Sequence, residues 1–142
     1  MSTLFTRIID GEIPGRFVWK DDDAVAFLTI APMGRGHTLV VSREEVDHWL
    51  DLAPDLAAHL TKVAQVVGRA QMAAFSPGRV GLLIAGLEVP HVHLHVVPIH
   101  SESDLDFAKA DHSPDPAALD GAADRLREVL RSLGHGENVP DA

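Results

Sequence analysis

Hydrophobic residues recur every three or four positions in three segments of the chain, and this spacing predicts three helices. The longest segment spans about residues 54–75 and carries its apolar stripe at Leu56, Leu60, Val63, Val67, Ala70 and Ala74. A short helix capped by Thr3 is expected to end near Gly11. A C-terminal helix is expected to begin after Asp115 and to end at Gly134.

Short apolar runs bounded by turn residues predict five strands, at residues 17–20, 24–28, 37–41, 80–85 and 91–98. Strands joined by tight turns favour antiparallel pairing, and the apolar stripe of each helix needs a sheet to pack on. The sequence therefore predicts an α+β fold: a five-stranded antiparallel sheet with one long helix, a short N-terminal helix and a C-terminal helix. Residues 1–142 are expected to form a single domain, and those after Gly136 a frayed tail.

The composition narrows the classes of function. The formal net charge is -9 and no block of Lys or Arg interrupts it, so we expect no nucleic-acid partner and no membrane-surface role. A small phosphate ligand is still compatible, because a pocket can be locally cationic. The chain has no cysteine, which removes disulfides and thiolate zinc ligands. The N-terminus carries no apolar run and no stretch reaches about 20 apolar residues, so we expect a soluble, cytoplasmic protein.

The predicted fifth strand alternates apolar residues with three histidines, His91, His93 and His95. Successive side chains on a strand point to opposite faces, so the three imidazoles share one face, with neighbouring Cα atoms about 6.5–7 Å apart. The other face is expected to pack on the long helix and carries Val92, Leu94 and Val96. A purely structural role would require partners for every ring nitrogen, so the pattern favours a functional site.

Two kinds of chemistry fit such a cluster. Histidines two apart on a strand can bind zinc or iron, and further ligands would then come from His37, Glu88 or His100. Alternatively, one neutral imidazole attacks phosphorus without a metal, while its neighbours donate to the phosphate oxygens and to the leaving group. Because an unperturbed histidine titrates at about pH 6.5, a cluster can hold neutral and protonated members together. The acidic run of residues 21–23 is interpreted as a solvated turn.

The same strand carries a family signature. Residues 91–97 read His-φ-His-φ-His-φ-φ, where φ is hydrophobic, which is the signature of the histidine-triad (HIT) superfamily of nucleotide hydrolases and transferases. Residues 4–14 resemble the opening helix of its Hint-like branch, residues 22–30 its next hairpin strand, and residues 36–41 its Gly-His strand. The sequence is therefore similar to this family, in family order, over roughly residues 3–99.

The resemblance implies a mechanism and a binding site. His93 would be the nucleophile that attacks the α-phosphate of a nucleotide derivative, forming a nucleotidyl-histidine intermediate that water hydrolyses. His95 would bind the phosphate and assist the leaving group, His91 would orient its neighbour, and His37 would join the same hydrogen-bond network. The residues implied at the nucleotide are Leu4, Phe5, Ile8, Phe27, Leu28, Thr29, Ile30, Gly86 and Glu88.

The resemblance also implies a purine nucleotide or nucleotide conjugate as ligand, no cofactor or metal, and a homodimer that joins two sheets. It does not cover the acidic loop, C-terminal helix and tail of residues 103–142. Thr29 stands where the family commonly has Asp at the ribose, and Leu87 and Glu88 stand where it commonly has Gln and Ser. A hydroxyl accepts more weakly than a carboxylate, and neither replacement donates to a phosphate. The alternatives are a non-catalytic nucleotide-binding or regulatory module of the same fold and, less favoured, a metalloenzyme.

Overall fold

Three α-helices and five strands follow one another along the chain in the order α-β-β-β-α-β-β-α in the computed structural model, which describes residues 2–142. The helices are α1 (Leu4–Ile9), α2 (Pro54–Phe75) and α3 (Pro116–Ser132). The strands are β1 (Phe17–Lys20), β2 (Ala24–Leu28), β3 (Thr38–Ser42), β4 (Arg79–Leu83) and β5 (His93–Ile99). Short 3-10 turns lie at Trp49–Asp51, Glu102–Asp104, Phe107–Lys109 and Gly136–Asn138. Over residues 2–142, no helix is both long and apolar enough to cross a lipid bilayer.

The five strands form one antiparallel sheet in the order β1-β2-β3-β5-β4. β5 lies between two partners: Val41 of β3 is opposite His93, and both Leu39 of β3 and Leu83 of β4 are opposite His95. Backbone hydrogen bonds on both sides therefore hold the strand that carries these histidines. The sheet and its three helices confirm the predicted α+β fold.

One face of the sheet is covered by the two longer helices. Leu60, Val63 and Val67 of α2 lie in one buried cluster with the alternate side chains Val92, Leu94 and Val96. Leu126 and Leu130 of α3 complete this cluster and are fully buried. Burying an apolar side chain of this size contributes about 1.5–3 kcal/mol, so this face is the main core of the molecule. The prediction that the valine and leucine face packs on the long helix is confirmed.

The opposite face is covered only in part, by the short helix α1. There Phe5 and Ile8 pack in a second buried cluster with the sheet residues Phe17, Val25, Phe27, Leu39 and Val41. The rings of Phe5 and Phe27 meet edge to face, with centroids 5.6 Å apart. Because α1 has only 6 residues, much of this face is left to form a cavity, and His93 and His95 open onto it.

Gly36 sets the path of the chain immediately before β3. Its φ is +79°, a conformation that side chains with a Cβ rarely adopt. An added Cβ would also collide with the ring of Phe75 at the end of α2. The chain can therefore turn tightly against α2 at this point, and the turn delivers His37 into the buried layer beside β5.

The predicted boundaries of three strands are wrong. β5 begins at His93 instead of residue 91, because the N–H groups of His91 and Val92 bond to loop carbonyls at 2.8 Å instead of joining the ladder. β3 begins and ends one residue later than the predicted 37–41, and β4 ends at Leu83 instead of residue 85. The ladder hydrogen bonds, which sequence patterns do not show, decide these ends.

The prediction of a frayed tail after Gly136 is also wrong. The chain turns through Gly136–Asn138 and returns to the sheet, where Val139 is buried in the main core cluster. The side-chain amide of Asn138 donates to the carbonyl of Lys20 over 3.0 Å. Burial of Val139 and hydrogen bonds from the side chains of Asn138 and Arg131 therefore hold this segment, although its composition resembles that of a disordered terminus.

Candidate active site

A cavity of about 400 Å³ opens on the face of the sheet that α1 partly covers. The nine residues predicted to contact a nucleotide all line it: Leu4, Phe5, Ile8, Phe27, Leu28, Thr29, Ile30, Gly86 and Glu88. His93 and His95 line the same cavity, whereas His91 and His37 are buried behind it. The structure thus brings the predicted residues of α1, β2 and the segment before β5 together around two of the three triad imidazoles.

The orientation of His93 follows from one hydrogen bond. Its Nδ1 lies 2.6 Å from the carbonyl oxygen of His91. A carbonyl only accepts, so Nδ1 must carry the proton and donate it, and the lone pair is left on Nε2. No hydrogen bond within residues 2–142 uses this Nε2. The ring of Phe5 packs edge to face on the imidazole, with centroids 4.8 Å apart, and limits its rotation.

His95 has the opposite tautomer, and a chain of two hydrogen bonds sets it. The backbone N–H of Met33 donates to Nδ1 of His37 over 3.0 Å, so the proton of neutral His37 lies on its Nε2. That Nε2 is 2.9 Å from Nδ1 of His95 and donates to it. The remaining nitrogen of His95, Nε2, therefore carries a proton. The cavity is lined by one imidazole with a free lone pair and one with an N–H donor, and their ring centroids are 4.9 Å apart.

These tautomers require neutral rings, and burial keeps them neutral. Burial, and after it the neighbouring imidazoles, lower the pKa of His37 to about 3 and the pKa of His95 to about 4. Burial also lowers the pKa of His93, although its hydrogen bond to His91 and the carboxylate of Glu88 act in the opposite direction. Near pH 7 each of these three rings therefore has one protonated and one unprotonated nitrogen.

His91 lies outside the strand, yet its position is the most enclosed of the triad, with no exposed surface. Its Nε2 is 2.6 Å from the carbonyl oxygen of Ser42 at the end of β3, so Nε2 carries a proton and donates it. This bond holds the residue whose own carbonyl holds His93. His91 thus does not reach the cavity and acts on it through the backbone.

A metal at the triad would need further ligands from His37, Glu88 or His100, but within residues 2–142 these side chains and the triad form no group of three ligand atoms within 4.8 Å of one another. Both ring nitrogens of His37 are in hydrogen bonds, and His100 is exposed, with its Nδ1 accepting from the N–H of Gly78. Within residues 2–142, the one group of three or more metal-ligating side chains with close ligand atoms is Asp21, Asp23 and His59. This group lies at the β1–β2 hairpin, where Asp21 closes the turn by accepting from the N–H groups of residues 23 and 24.

Phe107 is a cavity residue that the sequence reasoning missed. It lies in a 3-10 turn of the acidic loop, and its ring packs edge to face on His95 with centroids 5.2 Å apart. The loop folds back because the N–H of Asp111 bonds to the carbonyl of Pro32 over 2.9 Å. An isolated aromatic residue in an irregular loop gives no periodic signal, so only the tertiary structure could place it here.

Gln71 and Arg16 were missed for different reasons. Gln71 is fully buried in α2, and its Nε2 donates to the carbonyls of Gly36 and Val96 over 2.9 Å each, which ties together the backbones beside His37 and His95. A polar residue on the apolar stripe of the helix was the signal that could have revealed it.

Arg16 has no such signal in the sequence. It is the one cationic side chain that lines the cavity in the described chain, and it is paired with Asp120 over 2.7 Å.

Fold and site together define an α+β protein whose paired imidazoles, of opposite tautomer, face a largely apolar cavity. Residues 10–102 match the family model of the HIT domain, and the chain belongs to the histidine-triad family. The match includes β1 to β5 and ends before Phe107.

Known relatives and structures agree with this membership. The chain is 32% identical over 99 residues to an uncharacterised HIT-like protein of Methanocaldococcus jannaschii, covering 67% of this chain and 77% of that protein. It is 31% identical over 107 residues to an adenosine 5'-monophosphoramidase of Schizosaccharomyces pombe, covering 72% of this chain and 77% of that protein. A Zn-bound histidine triad family protein from Mycobacterium smegmatis has the same fold, with a TM-score of 0.82 and 28% identity over 96% of this chain and 98% of that one. The family thus includes nucleotide hydrolases.

Proposed function

We propose that this protein is a nucleotide hydrolase or nucleotidyl transferase that acts at the α-phosphate of a purine nucleotide conjugate through an intermediate on His93. The observation that carries the proposal is the pair of opposite tautomers. Nε2 of His93 offers a lone pair to the cavity in which Nε2 of His95 offers an N–H. Nucleophilic attack on a phosphate needs both, because a nucleophile must be unprotonated and the phosphate oxygens need a donor.

The first half of the reaction would form a bond between Nε2 of His93 and phosphorus. The bond from phosphorus to the leaving atom breaks, its electron pair departs with the leaving group, and that group takes a proton from solvent. The imidazole becomes cationic, and its Nδ1–H, already bonded to the carbonyl of His91, strengthens that hydrogen bond. The N–H of His95 donates to the phosphate oxygens throughout.

The second half would release the product. Water attacks phosphorus, the bond to His93 breaks, and its electron pair returns to Nε2. A nucleoside monophosphate and one proton leave, which balances the proton taken up in the first half. No side chain changes its protonation over the whole cycle, which agrees with the low pKa values of His37 and His95.

The walls of the cavity support a nucleoside as the recognised group. The apolar side chains of α1 and β2 are suited to an aromatic base. Thr29, at the position expected for the ribose, accepts a hydrogen bond from the N–H of Ala31 over 3.1 Å, so its hydroxyl proton is free to donate to a ribose oxygen. A hydroxyl in this state works as a donor where the family commonly has a carboxylate acceptor.

Hydrolysis of adenosine 5'-phosphoramidate tests this proposal. We expect the protein to release AMP from it at a rate well above that of buffer, with no added metal or cofactor. The non-catalytic alternative predicts that AMP binds, measured by calorimetry, while the release rate stays at that of buffer. That combination would favour the binding module over the enzyme.

We also propose that two copies associate through the β4 edge. β4 has one unpaired edge in the sheet, and its Leu82 is 50% exposed beside Met72 of α2, which is 43% exposed. A groove between the two elements runs along Gly68 and Val80. An unpaired edge with apolar neighbours is a surface that a second sheet can extend.

Sedimentation velocity tests this association. It should give the mass of a dimer for the unaltered protein and the mass of a monomer for Leu82→Lys. A monomer mass for the unaltered protein would refute the association.

A further inference from the structure

Three side chains that the proposed mechanism does not use converge behind His91. Thr3 Oγ1 is 2.7 Å from Nδ1 of His91 and 3.3 Å from Thr6 Oγ1. Glu45, in the loop after β3, accepts at Oε1 from the hydroxyl of Thr6 and from the backbone N–H of Thr3, each over 2.7 Å. A line of hydrogen-bonded residues therefore runs from an exposed carboxylate, through Thr6 and Thr3, to the fully buried imidazole.

The direction of each bond can be assigned. Nε2 of His91 donates to Ser42, so in the neutral ring Nδ1 is an acceptor and the hydroxyl of Thr3 donates to it. Thr3 Oγ1 in turn accepts from the N–H of Thr6, as the N-cap of α1. Both ring nitrogens of His91 are thus in use, which fixes the plane of the ring.

The carboxylate end of the line is held in its charged form. Hydrogen bonds from the backbone of Thr3 and from the hydroxyl of Thr6 lower the pKa of Glu45. With its hydroxyl proton committed to Glu45, Thr6 has a lone pair facing Thr3.

The line connects two parts of the candidate site. At one end, the carbonyl of His91 holds Nδ1 of His93 and so sets the tautomer of the proposed nucleophile. At the other, Thr3 begins the helix whose Leu4 and Phe5 line the cavity. A shift of α1 relative to β5 would therefore disturb the cavity wall and His93 together.

We propose that Thr3, Thr6 and Glu45 are positioning residues that lock His91 and, through its carbonyl, keep the proton of His93 on Nδ1 and the lone pair on Nε2. The consequence for activity rests on the proposed function, but the consequence for the His93 tautomer does not. The network joins α1, the loop after β3 and the residue that lies two positions before β5.

Two variants remove the network in different ways. Thr3→Val keeps the shape of the side chain but loses the hydroxyl, and Thr3→Ser restores it. Because Thr3 also caps α1, Glu45→Ala is the second variant, since it leaves the cap in place. Glu44→Ala is the matched control: it removes a neighbouring exposed glutamate whose side chain makes no hydrogen bond within residues 2–142.

The decisive measurement is the ¹⁵N shift of the His93 ring nitrogens in the full chain, which reports the fraction protonated at Nδ1. Thr3→Val and Glu45→Ala should lower this fraction, and Thr3→Ser and Glu44→Ala should not. With adenosine 5'-phosphoramidate, kcat should fall about tenfold in the first two variants while KM changes less than about twofold. Unchanged His93 shifts in both variants, even with a lower melting temperature, would refute the positioning role. If the unaltered protein shows no hydrolysis, the proposed function fails and the ¹⁵N shifts still decide the network.

Discussion

Replacing His93 by alanine is expected to lower the release of AMP from adenosine 5'-phosphoramidate by about 10³-fold or more. The variant keeps the N–H of His95 and the apolar walls, but it removes the lone pair that attacks phosphorus. Affinity for AMP should change far less than the rate, because the base contacts lie on α1 and β2. The rate constant and the AMP affinity of the same preparation give the two numbers to compare.

Trapping the intermediate makes this test specific. Acid-quenched wild-type protein should gain the mass of one adenylyl group during turnover, and His93→Ala should gain none. His112→Ala is the control, because His112 is exposed on the acidic loop away from the cavity. Equal slow hydrolysis by both proteins, or an adduct that persists in the His93 variant, would exclude His93 as the nucleophile.

Acidification from pH 7 to pH 4.5 is expected to lower the free energy of unfolding by roughly 3–5 kcal/mol. In the unfolded chain His37 and His95 titrate at about pH 6.5. In the folded protein burial and neighbouring imidazoles lower their pKa values to about 3 and about 4. Below pH 6.5 the unfolded state therefore binds protons that the folded state does not, and stability falls as the pH falls. Above pH 6.5 both states are neutral at these rings, and the stabilisation is complete.

Urea unfolding at several pH values between 7.5 and 4.5 measures this dependence. Each histidine contributes a slope of about 1.4 kcal/mol per pH unit in this window. His37→Gln and His95→Gln should each remove one such contribution, whereas His112→Ala, which changes an exposed histidine, should keep the full slope. A slope that is the same in all four proteins would mean that the buried pair titrates normally in the folded state.

Much of the fold could be predicted because its signals are local. The helical spacing of Leu60, Val63 and Val67 determines which side of α2 is buried, and the structure places these residues in the main core. The strict alternation along β5 likewise determines which side chains share a face. Strand ends at His93 and Leu83 were mispredicted because they depend on which backbone groups find a partner in a neighbouring strand.

The candidate site also contains residues that could be predicted from the sequence and residues that could not. His93, His95 and the flanking residues of α1, β2 and the segment before β5 could be placed around one cavity, because the motif residues and their order along the chain resemble the family. Phe107, Arg16 and Gln71 could not, since each reaches the site through contacts with segments far away in the sequence. Asn138 and Val139 belong to this class as well, because only the returning chain shows what they pack on.

The sequence by itself determined that the imidazoles of His93 and His95 would lie together on one side of a strand, because a strand alternates its side chains whatever surrounds it. Only the tertiary structure decided which nitrogen each ring presents. The proton of His93 is set by the carbonyl of His91, and that of His95 by His37 and the backbone of Met33. The tautomer of a histidine cannot be predicted from the residue alone, because the donors and acceptors that folding places around the ring decide which nitrogen carries the proton. The chemistry of the triad therefore depends on partners that the motif does not contain.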